Sequence, residues 1–243
     1  MLPKIDVPVY ETTLISTGKK VKFRPFLVKE QKLFLMASQS DDAKEVVNAI
    51  KQVIANCVVD KDVNVDTLPT FDLENLFLQL RARSVGEKVE MNYVCNNPIG
   101  DGSAEPKPCG GKIKLFLDLL EIKPTTNPEH NQKIELTPKL GIVMKYPNFE
   151  ILSSLNIQSQ EDLLKIIIAC IDYIYDDEQI YYAKDTTEQE LNEFIESMQQ
   201  TDIQKIQKFF ETMPKISKNV EFHCKKCGYK EDIVIEGLQN FFG

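Results

Sequence analysis

Long apolar runs are missing from this 243-residue chain; the longest, Ile166 to Ile171, is six residues. A helix crossing a bilayer needs about 20, so no membrane span is expected. The opening Met1-Leu2-Pro3-Lys4-Ile5-Asp6 has no apolar signal-peptide core, which points to a protein kept in a cytosol or carried in a particle assembled there. Histidine is scarce, at His130 and His223 only. His130 lies beside Pro128 and Glu129 and reads as a surface loop residue. Phosphate and nucleotide loops fail on inspection. Ser16-Thr17-Gly18-Lys19-Lys20 lacks the upstream glycine and the hydroxyl residue after lysine, and Gly100-Asp101-Gly102 lacks a third glycine. No serine or cysteine stands in a nucleophile context. Asp176-Asp177-Glu178 reads as a solvated cluster at a helix end. Catalysis and a small-molecule substrate are therefore not expected.

Excess positive charge is missing too. The formal net charge is −8, and phosphate neutralisation supplies most non-specific nucleic-acid affinity, so nucleic acid is a poor partner. The imbalance is local: residues 1–40 carry seven basic against three acidic side chains, and residues 150–200 carry two against twelve. The acidic stretch fits either a solvated helical face or complementarity to a basic partner.

What is present is a globular, α+β pattern without repeats or low-complexity tracts. Extended segments at Val7–Tyr10 and Lys20–Phe26 flank a turn at Ser16-Thr17-Gly18. Helices are expected over 29–38, from a cap at Asp41 to about Val58, and over 72–84, with Leu73, Leu76, Phe77 and Leu80 inward. Residues 88–95 and 112–118 alternate as strands, and 133–136 and 142–146 read as two more. The second half is expected to be mostly helical. One helix should run from Ser159 to about Tyr175, one should follow a Thr187/Glu190 capping box, and one should start at Asp202. A terminal hairpin joins 220–222 to 231–235. The expected organisation is an N-terminal α+β region, 1–125, with a first cysteine hairpin, and a mainly helical region, 126–243, with bundle-like portions closing on a second. A zinc-ribbon-like pairing of the hairpins would join them.

The six cysteines divide in two. Cys57 and Cys170 sit within apolar helical faces and read as core. Cys224-Lys225-Lys226-Cys227-Gly228 lies at a hairpin tip, where a two-residue spacer lets two thiolates converge on one ion at about 2.3 Å. Cys95 and Cys109-Gly110-Gly111 lie between two strands with the same Cys-Gly ending, across thirteen intervening residues. Two such pairs imply one structural Zn2+ held by Cys95, Cys109, Cys224 and Cys227. A disulfide framework is disfavoured without a secretion signal. A redox Cys-x-x-Cys would open a helix, and four thiolates leave no open position for catalysis. His223 adjoins Cys224, but strand neighbours point to opposite faces.

Several segments together are similar to a known family. These are Leu2-Pro3 with Pro8-Val9-Tyr10, the stretch Lys22-Phe23-Arg24-Pro25-Phe26-Leu27-Val28-Lys29-Glu30-Gln31-Lys32, then Gly141-Ile142-Val143-Met144-Lys145-Tyr146-Pro147, and the ending Glu236-Gly237-Leu238-Gln239-Asn240-Phe241-Phe242. They resemble the baseplate hub and hub-assembly proteins of T4-like contractile-tailed bacteriophages. The resemblance implies a non-enzymatic protein of tail baseplate morphogenesis, made in the cytoplasm of the infected bacterium. It would be either a hub component of the virion or an assembly factor that leaves. Its partners would be other phage hub and tail proteins. Arg24 and Phe26 are candidate partner contacts, since arginine and aromatics favour interface centres; alternatively Phe26 packs on the first helix and Arg24 pairs with Glu30. Phe241 and Phe242 read as a partner anchor or as a plug in the protein's own core. A zinc-ribbon nucleic-acid-binding or transcription accessory protein is the competing function, on Lys225, Lys226 and Lys230 alone.

Overall fold

A computed structural model describes residues 5–37, 39, 43–100, 107–154 and 160–237. The chain opens with an antiparallel hairpin, β1 (Tyr10–Thr13) and β2 (Lys20–Phe23), with Tyr10 opposite Phe23. Gly18 turns it at φ +68°, where a Cβ would be strained. Helices α1 (Val28–Ala37) and α2 (Ala43–Cys57) follow. In α2, Val47, Ile50, Val53, Ile54 and Cys57 recur at three- and four-residue steps and all are buried. Ser38 and Asp41, expected at the ends of these helices, lie outside the described residues. Helix α3 (Thr70–Ser84) turns Leu73, Leu76, Phe77 and Leu80 inward. Each such burial contributes roughly 1.5–3 kcal/mol. Gly86, at φ +137°, stands just past its end.

The period then changes from helical to alternating. Strand β3 (Lys88–Val94) pairs antiparallel with β6 (Lys112–Asp118), Lys88 opposite Asp118 and Val94 opposite Lys112. Between them β4 (Pro98–Ile99) pairs with β5 (Lys107–Pro108). The insertion between Cys95 and Cys109 thus continues as a narrow second ladder. Beyond it come β7 (Pro124–Thr125), β8 (Lys133–Glu135), β9 (Gly141–Met144) and α4 (Phe149–Ser154).

The expected single helix to Tyr175 is instead two elements, α5 (Gln160–Ala169) and β10 (Ile171–Tyr175). Ser159 lies outside the described residues. The sequence Ile-Asp-Tyr-Ile-Tyr is β-branched and aromatic, which suits a pleated surface, and β10 finds a ladder partner in β9. At the junction the Lys145 N–H donates to the Cys170 carbonyl at 2.7 Å. A two-residue turn, Asp177-Glu178, leads to β11 (Ile180–Tyr182), so the acidic cluster caps a hairpin rather than a helix. Helix α6 (Glu188–Glu196) begins with the expected capping box, Thr187 with Glu190. Helix α7 (Gln200–Thr212), β12 (Lys215–His223) and β13 (Lys230–Glu236) complete the chain's α+β fold. No helix among the described residues is long and apolar enough to cross a membrane.

Two compact units result, and they do not follow chain order. The first comprises residues up to Val63, Leu73–Thr125 and those from Lys215 onward. It contains α1, α2 and both cysteine-bearing hairpins. Strand β12 bridges to β7, with Lys215 opposite Thr125. The second comprises Asn64–Asp72 and Thr126–Pro214. Its sheet has the order β11-β10-β9-β8, and its core joins Ile142, Met144 and Ile171 to Leu191, Ile206 and Phe209 from α6 and α7. The final hairpin thus groups with 73–125 rather than closing the region 126–214. That region carries a sheet as well as helices.

Candidate metal centre

Two hairpins of the first unit bring four sulfurs together. Cys95 follows β3 and Cys109 follows β5. Cys224 follows β12 and Cys227 lies in the turn before β13. The Cys95 and Cys227 sulfurs are 3.7 Å apart, and those of Cys109 and Cys224 are 3.8 Å apart. All four sulfurs lie within 4.8 Å of one another, and all four cysteines are free. A disulfide needs sulfurs at about 2.05 Å, whereas a tetrahedron with arms of about 2.3 Å has edges of about 3.8 Å.

Each hairpin tip folds in the same way. Around the second pair, Cys224 N–H donates to Tyr229 O and Gly228 N–H to Cys224 O, both at 2.8 Å. Around the first, Gly110 N–H donates to Cys95 O at 2.9 Å and Cys95 N–H to Gly111 O at 2.8 Å. Gly110 and Gly228 hold φ of +64° and +76°, left-handed values that let the backbone curl beneath the sulfurs. Gly111 has a different role: a Cβ there would stand 2.8 Å from the Cys224 sulfur. Under the cluster lies the buried Phe222, against which the Tyr93 ring packs edge-on with centroids 4.6 Å apart. This apolar floor limits water and strengthens electrostatics at the sulfurs.

Burial pushes the Cys95 thiol up to about 12 and raises that of Cys109. Cys224 goes the other way, to about 7, because the Cys227 backbone N–H stabilises its thiolate against burial, with help from that of Lys226. Two residues of the surroundings escaped sequence reasoning. The Asn97 amide reaches the Cys227 sulfur at 3.8 Å. Lys226 donates its ammonium to the Cys109 carbonyl at 2.5 Å, tying one tip to the other. The sequence marked Lys226 only as a basic residue, since its target lies 117 positions away. His223 is exposed while Cys224 is buried, so strand alternation keeps the imidazole off the cluster.

The remaining candidates lie elsewhere. Arg24 is held inside the first unit: its guanidinium contacts Glu30 at 3.1 Å, Asn56 O at 2.9 Å and Pro25 O at 3.0 Å. Burial pushes the Glu30 carboxyl up, but the Arg24 hydrogen bond, the Leu27 N–H and the charges of Arg24 and Lys29 outweigh it and hold the carboxyl below its ordinary range. Phe26 is half-buried, donates its N–H to Ser84 Oγ at 2.9 Å, and lines a 160 Å³ hollow with Leu35, Val53, Phe77 and Val85. Phe241 and Phe242 lie outside the described residues. Cys57 and Cys170 are fully buried, and burial raises their thiols to about 11 and about 12. His130 differs from expectation. It is half-buried in the second unit, with Nδ1 2.9 Å from Thr212 Oγ1 and Nε2 2.9 Å from the Tyr146 hydroxyl. Its ring stacks on Tyr146. A loop position says nothing about such distant aromatic neighbours.

Comparison with known proteins supplies the biological frame. The chain is 26% identical over 229 residues to the baseplate hub assembly protein gp26 of Enterobacteria phage T4, covering 93% of each chain. No solved structure matches it. Residues 7–243 match the family described as T4 bacteriophage base plate protein. A match across nearly the whole chain leads to one conclusion: this chain belongs to the T4 bacteriophage base plate protein family.

Proposed function

We propose that this protein acts without catalysis in building the phage tail baseplate at its hub, through contacts with other baseplate proteins, and that one structural zinc ion pins its two cysteine hairpins as a zinc ribbon. The observation that carries the metal is the donor set: four thiols on two matched turns, all sulfurs within 4.8 Å. Cysteine sulfurs in that arrangement suit Zn2+ over Mg2+ or Ca2+, which prefer oxygen. Four protein ligands close the coordination shell, so the ion's work is structural.

Its place in the chain gives that work a purpose. Cys109 and Cys224 are separated by 114 residues, and the ion would fasten the C-terminal hairpin to β3 and β6. The base of that hairpin is already held by β7 and by Lys218 with Glu121 at 3.6 Å. Metal at the tip fixes the other end, turning two hairpins into one rigid surface for partners. The hub-assembly role of the phage T4 relative supports the choice of partners. Nucleic-acid binding gains little: Lys226 is committed to Cys109 O, and Lys230 lies 3.9 Å from Glu221.

Two measurements test this reading. Elemental analysis of purified protein should find one zinc per chain, and a content near zero removes the site. Co-expression with the phage's other hub proteins and affinity capture should yield a complex. Duplex DNA bound at physiological salt, with no hub protein captured, reverses the functional reading.

A further inference from the structure

The sheet of the second unit has two unlike faces. Ile134, Ile142 and Ile174 are buried in the core on one of them. Cross-strand partners share a face, so the register places Val143, Tyr173 and Tyr182 side by side on the other, with Tyr175 and Ile180 beside them. The hydroxyl end of the Tyr175 ring covers Gly141, where any Cβ would collide with it. Tyr173 and Tyr182 pack edge-to-face with centroids 5.8 Å apart. Ile180 is 51% exposed and Tyr182 46%.

This aromatic face ends at an open edge. Strand β11 is outermost, with no strand beyond it among the described residues. Asp176 N–H donates to Gln179 O, so hydrogen-bonded pairs fall at 176/179 and 174/181. The alternation of an antiparallel ladder then turns the Ile180 N–H and C=O away from β10. The strand has no lysine, proline or bulge; it is only three residues long, and the Thr186 hydroxyl donates to the Tyr182 carbonyl at 2.9 Å, so the Ile180 N–H and C=O are the groups it offers a partner.

The surroundings choose the visitor's charge. Residues 171–196 carry nine acidic side chains and one basic. The ring faces already attract ammonium groups: Lys133 Nζ is 4.7 Å from the Tyr175 centroid and Lys184 Nζ 5.4 Å from that of Tyr182. We infer that the Ile180–Tyr182 edge receives an extended segment of a partner protein, which adds a strand to β11 and lays lysine or arginine at alternate positions over the tyrosines. Alternation matters because every second side chain shares a face. A second copy would bring a like-charged stretch against this one, and the same excess of carboxylates along 171–196 disfavours nucleic acid. This surface deepens the protein-contact reading proposed above and rests on it.

Ile180→Lys and Ile180→Glu in the full chain test the idea, co-expressed with the phage's other baseplate proteins. Both remove the same exposed apolar group and leave the core intact; only the sign of charge differs. The glutamate variant should retain its captured partner, and the lysine variant should bind at least about ten-fold more weakly at low salt. That gap should close near about 0.5 M salt, where screening acts within about 4 Å. In the wild-type complex the Ile180 amide should gain protection from hydrogen exchange. Equal binding by the two variants, or an Ile180 amide that exchanges as fast in the complex as alone, overturns the inference and leaves the assembly reading intact. Self-association or DNA binding abolished by either variant likewise overturns it. Capture of no baseplate protein by the wild type overturns both readings.

Discussion

Replacing Gly111 by alanine should cripple the proposed zinc site without changing any of the four cysteines. The added Cβ would stand 2.8 Å from the Cys224 sulfur, 3.2 Å from Lys226 Cβ and 3.5 Å from the Cys109 sulfur. Ordinary non-bonded contact begins at about 3.5 Å, so the nearest pair must separate by about 0.7 Å. Metal–ligand distances tolerate roughly 0.2 Å. Cys224 therefore has to leave its position, or the 110–111 turn must give way and break the Cys95 N–H bond to Gly111 O. Zinc affinity should fall by about 10–100-fold, the range seen when groups supporting a metal's ligands are changed, which is about 1.4–2.7 kcal/mol. Competition against a chromogenic chelator measures this directly. Gly228→Ala is the control: nothing lies within 4 Å of its Cβ, but φ is +76°. Left-handed strain there should cost roughly 1–2 kcal/mol of thermal stability while one zinc per chain is retained. Wild-type zinc affinity in Gly111→Ala, or a greater loss in Gly228→Ala, would refute the steric reasoning.

Chelation of the metal should raise hydrogen exchange first at the tips, around Cys95 and Cys224–Gly228, while β12 residues opposite β7 stay protected; uniform loss along β12 contradicts the two-ended tether. Thiolate ligands compete with protons, so zinc should be released as pH falls, read as proton uptake on metal loss. Arg24→Ala leaves the buried Glu30 charge without its main partner, and denaturant titration should show a loss of about 3–5 kcal/mol; a loss under about 1 kcal/mol means the pair is dispensable. Burial lowers the pKa of His130, so the unfolded chain binds the proton more readily. Stability from this group is present above the ordinary histidine pKa and declines as pH falls below it towards the lowered folded value. The gap between wild type and His130→Asn, measured by urea unfolding, should therefore narrow from pH 7.5 to pH 5, and a gap independent of pH sinks this reading.

Elements whose stability comes from local pattern were legible. The three- and four-residue steps of α2 and α3, the alternation of β3 and β6, and the Thr187 capping box all state in sequence which face is buried. So did the cysteine tips, where spacing and glycine dictate the turn. Ile166–Tyr175 was not legible, because a buried helix and a buried strand are both continuous apolar runs. Only pairing with β9 made the second half a strand. Arg24 left two readings open until Asn56 and Glu30 could be placed around it.

The sequence by itself determined the local chemistry: which side chains are thiols, which turns they ride on, and that the chain carries a net negative charge. Tertiary structure decided what those turns meet. Cys109 and Cys224 converge across 114 residues, Lys226 points at a carbonyl instead of solvent, and three tyrosines share one outer sheet face. Spacing along a chain fixes local geometry through a few dihedral angles, whereas contacts between remote segments depend on the summed packing of everything between them.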